Sequence, residues 1–345
     1  MSSRKAFMFL PLLLALSSAV AAKRPNVSIQ EWDVPTANSR PHDPAVAPDG
    51  SLWYTGQNAN KLGRLDPKTG QFKEYPLRTP GSGPHGLVAD RDGNIWFTAI
   101  AKGYIGKLNP DTGDIREYRA PGGREIDPHT PVFDRQGILW FTTEESNVIG
   151  RLDPHTGQMK LKEVPTRHAI PYGIVVNSKG VPYFCEFGTN KLASIDPQAL
   201  NITEYPLPQG ARPRRIALAA DDSLYYTDFA RGYLGHFHPA THKVEEWPSP
   251  GGSGSEPYGI AVSTEGIVWY SESGVKPNTL VRFDPKTKAF SSTPVPSGGG
   301  VIRNMVATKD GKLYIACSGI NKVAVADIDE IKSLLAAPLD RPEKQ

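Results

Sequence analysis

Glu256 and Glu272 are the two residues of this sequence best disposed for metal chemistry. They stand sixteen residues apart and bracket the run Glu-Pro-Tyr-Gly-Ile-Ala-Val-Ser-Thr-Glu-Gly-Ile-Val-Trp-Tyr-Ser-Glu. Its two apolar segments, separated by a turn, read as adjacent antiparallel strands, so the end residues share one edge. Two carboxylates there, with water and substrate oxygens, suit Mg²⁺. Tyr258 lies beside them, and its phenol is a candidate base if neighbouring cations such as Arg214 or Arg303 favour the phenolate. His129 is the alternative base.

The element that must position these groups is a repeat. The aromatics Trp53, Trp96, Trp140, Tyr183, Tyr225, Trp269 and Tyr314 follow one another at spacings of 43, 44, 43, 42, 44 and 45. Eleven residues before each lies His42, His85, His129, Tyr172, Arg214, Tyr258 or Arg303. Each unit reads as four short strands with turns such as Asp92-Gly93 and Asn109-Pro110-Asp111-Thr112-Gly113. A four-stranded unit of this length is a propeller blade. The fold expected is all-β, a seven-bladed β-propeller over residues 27–328. The stretch Val27–Pro35 matches the fourth strand Gln71–Pro76, while the seventh repeat has only three strands. The N-terminal strand should therefore complete the last blade and leave no open sheet edge.

In a propeller the start of the first strand and the end of the second meet on one face. This puts the histidine, tyrosine and arginine positions around one mouth, and a ring of polar, titratable side chains suggests a ligand-facing surface. His42, His85, Tyr172 and Arg303 are expected to bind substrate there. A further ring, three residues after each aromatic, is acidic in blades four to six, with Glu186, Asp228 and Glu272. Glu186 and Asp228 are also candidate substrate contacts; the alternative is that interleaved arginines such as Arg212 pair with them and tie blades together. One imidazole per blade spaces the histidines widely for a shared softer metal. His155, His168, His236, His238 and His242 lie off the mouth and should be solvated.

Composition narrows the partners. The 345 residues carry 39 basic and 36 acidic side chains, with no basic face, so nucleic acid is not an expected partner. The amino terminus has the form of a secretory signal: Arg4 and Lys5, the apolar run Ala6–Leu16, and Ala19-Val20-Ala21 as cleavage site. Residues 1–21 are read as that signal peptide and 329–345 as a C-terminal tail. A periplasmic or secreted monomer without a membrane span after cleavage is expected. Asn26-Val27-Ser28 and Asn201-Ile202-Thr203 are glycosylation sequons in a eukaryotic secretory route. Cys185 and Cys317 fall in repeats four and seven, too far apart around a ring for a disulfide.

The repeated Pro-His-Gly…Asp-Gly-x-x-Trp-Phe-Thr pattern resembles the streptogramin (virginiamycin) B lyases over nearly the whole mature chain. That resemblance implies a seven-bladed propeller that opens a cyclic depsipeptide at its ester by β-elimination with Mg²⁺. It assigns the metal carboxylates to Glu256 and Glu272, which match the family's Glu-Pro-His-Gly motif and its second glutamate. The family's acid/base histidine is Tyr258 here, and a second family histidine is Arg214. The function expected is an exported Mg²⁺-dependent carbon–oxygen lyase acting on an ester, a cyclic peptide or an acidic sugar such as a uronate. The other readings are a non-catalytic propeller binding a sugar, peptide or protein at the same mouth, and a lactone hydrolase.

Overall fold

The computed structural model describes residues 27–328, and the expected signal peptide and C-terminal tail lie outside them. Seven four-stranded antiparallel sheets follow one another along the chain. The first blade holds β2 (Pro41–Val46), β3 (Leu52–Gly56), β4 (Lys61–Asp66) and β5 (Gln71–Pro76). The next five repeat it at residues 84–119, 128–163, 171–206, 213–248 and 257–294. The seventh is closed by the amino terminus: β1 (Ser28–Asp33) pairs antiparallel with β28 (Lys322–Asp327), Ser28 against Asp327 and Asp33 against Lys322. That pairing turns an exposed edge into an internal one.

The core lies between blades. Trp53, Leu62 and Tyr75 of blade one pack on Leu87, Phe97 and Tyr104 of blade two, and the same aromatic and aliphatic positions fill the later interfaces. Gly63 is required beneath Tyr54, since a Cβ there would stand 1.9 Å from the ring; Gly106 has the same relation to Phe97. The Asp-Pro turns work as their chemistry predicts: Asp66, Asp153, Asp196 and Asp284 each accept the backbone N–H two residues on at 2.9 Å.

Every first strand carries a bulge near its start. In blade one, Pro41 pairs with Gly56 and Pro44 with Tyr54, so His42 and Asp43 together oppose Thr55. The same shift recurs in all seven blades. A bulge breaks the alternation of side chains, so two consecutive residues per blade leave the simple in-out pattern. In five blades a hydroxyl then locks the bulge to the next blade, while blades four and seven carry Cys185 and Ala316 at that position. Thr55 Oγ1 accepts the Asp43 N–H at 3.1 Å and donates to the His85 carbonyl at 2.8 Å. Thr98, Thr142, Thr227 and Ser271 reach the carbonyls of His129, Tyr172, Tyr258 and Ile302 at 2.6–2.8 Å. These links fix the ring of candidate site residues against the blades that carry them.

Candidate active site at the channel mouth

The bulges set the ring residues side by side and bury them. The imidazoles of His42 and His85 have centroids 3.8 Å apart, His85 and His129 are 4.0 Å apart, and His129 lies 4.0 Å from the Tyr172 ring. The expectation that one histidine per blade would be widely spaced is therefore corrected: the channel is narrow enough for neighbours to touch. Burial pushes all three imidazoles well below the usual range, with the Arg303 and Arg215 cations adding to the effect at His42 and Arg215 adding to it at His85 and His129. They are neutral at pH 7. His85 Nδ1 and His129 Nε2 have no hydrogen-bond partner, although a carboxylate oxygen of Glu144 stands 3.4 Å from His129 Nε2. Burial, and Asp127 nearby, push Glu144 up to about 7, so this carboxyl titrates near neutrality.

On the other side of the mouth Tyr172 and Tyr258 meet hydroxyl to hydroxyl, both buried. The two Arg side chains of the ring converge on them. Arg214 donates to the Tyr172 hydroxyl at 3.3 Å and lies 3.8 Å over the Tyr258 ring. Phe229 and Phe187 complete its surroundings at 4.2 and 4.8 Å, an aromatic slot that favours a cation. Arg303 Nη1 donates to the Tyr258 hydroxyl at 3.5 Å. The half-buried Arg40 sits close enough to Arg303 for their repulsion, after burial, to lower its pKa. Burial and the adjacent Tyr258 hold Tyr172 above the usual phenol range. The mouth thus combines two touching phenols with guanidinium groups, next to a neutral histidine beside a carboxyl.

A layer beneath this one went unread in the sequence. The second bulge residue of each blade is Asp43, Gly86, Thr130, Gly173, Arg215, Gly259 or Asn304. Arg215 spans the channel: it donates to both Asp43 oxygens at 3.0 and 3.1 Å, to Thr130 Oγ1 at 3.0 Å and to the Arg303 carbonyl at 3.2 Å. Asn304 and His42 add bonds to Asp43 at 3.0 and 2.9 Å. The signal was present, since all seven positions are polar or glycine, but strict strand alternation assigns them to the wrong face. Glu144, Phe187 and Phe229 were also missed, because each is the first loop residue after its second strand.

The acidic ring does not line the mouth. Glu186 accepts from Thr189 at 2.8 Å within its own blade, and burial pushes it up to about 7. Asp228 binds the Arg231 side chain and the Arg212 N–H, and Arg231 continues to Glu246. These carboxylates brace the loops between second and third strands. The structure does not gather them with the ring residues named as substrate contacts.

The two candidate metal carboxylates differ in their surroundings. Glu272 is 2% exposed; one oxygen accepts from Ser249 Oγ at 2.5 Å and Gly251 N–H at 2.6 Å, and the other from Thr279 Oγ1 at 2.7 Å. Glu256 is exposed, with backbone φ of 48°. Mg²⁺ needs open carboxylate oxygens in near-octahedral array; Glu256 offers them to solvent, while a cation at Glu272 would share that carboxylate with three donors already bound to it. Among the described residues the groups of three close ligand side chains are elsewhere: His42, Asp43 and His85, and His236, His238 and Glu245. In the first, Arg215 already supplies the cation. Of the histidines expected to be solvated, His236 is instead 8% exposed and stacked 4.1 Å from Tyr225.

Three solved structures share this architecture. The virginiamycin B lyase of Staphylococcus aureus, as a catalytically inactive His→Ala variant with quinupristin, is 23% identical, with a TM-score of 0.80 over 88% of this chain and 99% of that one. A streptogramin B lyase is 24% identical, with a TM-score of 0.80 over 88% and 98%. Hydrazine synthase of Kuenenia stuttgartiensis is 14% identical, with a TM-score of 0.69 over 85% and 96%. At these identities the likeness is one of fold. No curated protein sequence gives a significant match. The model of the virginiamycin B lyase family matches residues 12–283. With its seven-bladed ring and its mouth of histidine, tyrosine and arginine, this chain belongs to the virginiamycin B lyase family.

Proposed function

We propose that the channel mouth is the active site of a carbon–oxygen lyase that performs β-elimination on a substrate bearing an ester or carboxylate. The observation that carries this reading is the Tyr258 hydroxyl, which touches Tyr172 and is flanked by Arg303 and by Arg214 over its ring. Elimination removes a proton α to a carbonyl, places charge on the resulting enolate oxygen, and expels an oxygen leaving group that needs a proton. Tyr258 takes the α-proton, with one guanidinium at its hydroxyl and the other over its ring. Arg214 and Arg303 hold the developing oxyanion, a task that fixed cations perform well in a water-poor site. The His129–Glu144 pair, where a proton is exchangeable near neutral pH, delivers one to the leaving oxygen. In this reading the guanidiniums take the place of Mg²⁺ as the charge that stabilises the enolate. The signal-like amino terminus supports action outside the cytoplasm.

The test is a screen of the purified chain against streptogramin B depsipeptides such as quinupristin, uronate oligomers and lactones, read by product mass. Elimination gives an unsaturated product and masses that sum to the substrate, and Tyr258→Phe should abolish it. A product heavier by one water, or turnover unchanged in Tyr258→Phe, would sink the mechanism.

A second reading, a non-catalytic binding mouth, is favoured by one observation. The aromatic slot of Tyr258, Phe229, Phe187 and Tyr172 is filled by Arg214, which screens the phenols from above. Ligand binding by equilibrium dialysis, with no product after prolonged incubation, would select it.

A further inference from the structure

The repeat provides seven internal copies of each position, and blade five departs from the others at three positions that meet in space. On β20 (Tyr233–His238), His236 lies opposite Tyr225; the equivalent residues are Arg64, Lys107, Arg151 and Arg282, each opposite a tryptophan, and Ser194 and Val325, each opposite a tyrosine. On β21 (Lys243–Pro248), Glu245 pairs with His236, where blades one to three hold Lys73, Arg116 and Lys160. His238 occupies the turn position filled by Asp66, Asn109, Asp153, Asp196 and Asp284, and so forfeits the hydrogen bond that those side chains make to the backbone two residues on. Three changes from the repeat bring two imidazoles and a carboxylate onto one face of one sheet.

Their hydrogen bonds leave the His236 and Glu245 lone pairs facing each other, with the His238 imidazole beside them. Ser223 Oγ donates its single proton to Asp221 at 2.6 Å, so it accepts from His236 Nε2–H at 2.8 Å. That settles the tautomer: His236 Nδ1 carries a lone pair and points at the Glu245 carboxylate, 3.8 Å away. His238 Nε2 stands 4.0 Å from the same oxygen. The other Glu245 oxygen is held by Lys243 at 3.1 Å. Two acceptors facing each other without a proton repel unless a cation lies between them. The Asp221–Ser223–His236 relay also has the form of the outer support that fixes imidazole ligands to metals.

We propose that His236, His238 and Glu245 form a binding site for a Zn²⁺-like transition-metal ion at the end of blade five opposite the mouth. Two histidines and a carboxylate are a donor set for zinc rather than for Mg²⁺. At metal–ligand distances of about 2.1 Å, tetrahedral ligands stand roughly 3.4 Å apart; the two imidazole nitrogens close on Glu245 from 3.8 and 4.0 Å, and all three ligand atoms lie within 4.8 Å of one another. Three protein ligands leave a fourth position for water or a ligand atom. The ion ties β20 to β21 at the turn where the usual aspartate is missing.

The experiment is titration of the metal-free, untagged chain with Zn²⁺ by calorimetry, and with Co²⁺ by visible absorption. One ion per chain and a tetrahedral Co²⁺ spectrum are expected. His238→Asp, which restores the turn of the sibling blades, and Glu245→Lys should each abolish that binding while retaining the circular dichroism of the parent. Ser223→Ala, which releases the tautomer, should weaken it about 10–100-fold. Absence of Zn²⁺ binding by the parent overturns the proposal. So does binding that survives both ligand variants and is lost in His85→Phe, because it would place the ion in the channel.

Discussion

Replacing Arg215 by methionine should cost far more in the parent protein than in a chain already lacking the Asp43 charge. Arg215 is 3% exposed and joins blade five to blades one, three and seven through four hydrogen bonds. Removing it leaves the fully buried Asp43 carboxylate with only His42 and Asn304. An orphaned buried charge of this kind costs about 3–5 kcal/mol. At about 2.1 cal/mol/K of unfolding entropy per residue, a domain of roughly 300 residues should lose about 5–8 °C in Tm. Asp43→Asn removes the charge, so Arg215→Met in that background should cost about 2 kcal/mol less, giving a clear coupling energy. The assay is urea unfolding of the parent, both single variants and the double variant at pH 7. Equal costs of Arg215→Met in the two backgrounds would refute the claim that this pair holds the channel together. The Arg303 carbonyl bond adds a local readout, since loss of Arg215 should also loosen the guanidinium over Tyr258.

Three further outcomes follow from the same geometry. Glu186 is fully buried and pushed up to about 7; the folded state therefore binds the proton more tightly, and stability falls as pH rises from about 4.5 to about 7. Glu186→Gln should remove a loss on the order of 2–3 kcal/mol between pH 5 and pH 8 in urea melts, and an unchanged pH profile would contradict the burial argument. Deleting β1 exposes the backbone edge of β28 in blade seven; size-exclusion chromatography should show aggregation relative to the parent, and a truncated chain with unaltered size and melting would dismiss the closure as dispensable. Where a substrate is turned over, EDTA should leave the rate intact while Arg303→Gln lowers kcat about 100-fold; loss of turnover in EDTA would return the charge to a metal on Glu256 and Glu272.

The propeller was legible because its signals are local and repeated. Aromatic spacing, Asp-Pro and Asp-Gly turns and a spare fourth strand in Val27–Pro35 each recur with the blade, and backbone hydrogen bonding leaves few other uses for such segments. The ring of His42, His85, His129, Tyr172, Arg214, Tyr258 and Arg303 was legible for the same reason. The blade geometry converts one sequence position into a circle.

What the chain order could not supply was direction and distance. A bulge in each first strand moves Asp43, Thr130, Arg215 and Asn304 out of strict alternation, so the pair that spans the channel depends on residues 172 positions apart meeting across the axis. Glu256 and Glu272 sit at adjacent strand ends as their spacing says, yet Ser249, Gly251 and Thr279 claim one carboxylate and solvent the other. The sequence alone determined the fold and the ring of positions from His42 to Arg303, because periodic patterning encodes backbone pairing. Only the tertiary structure decided which of them touch, because hydrogen-bond partners are chosen by the closure of the ring and not by spacing along the chain.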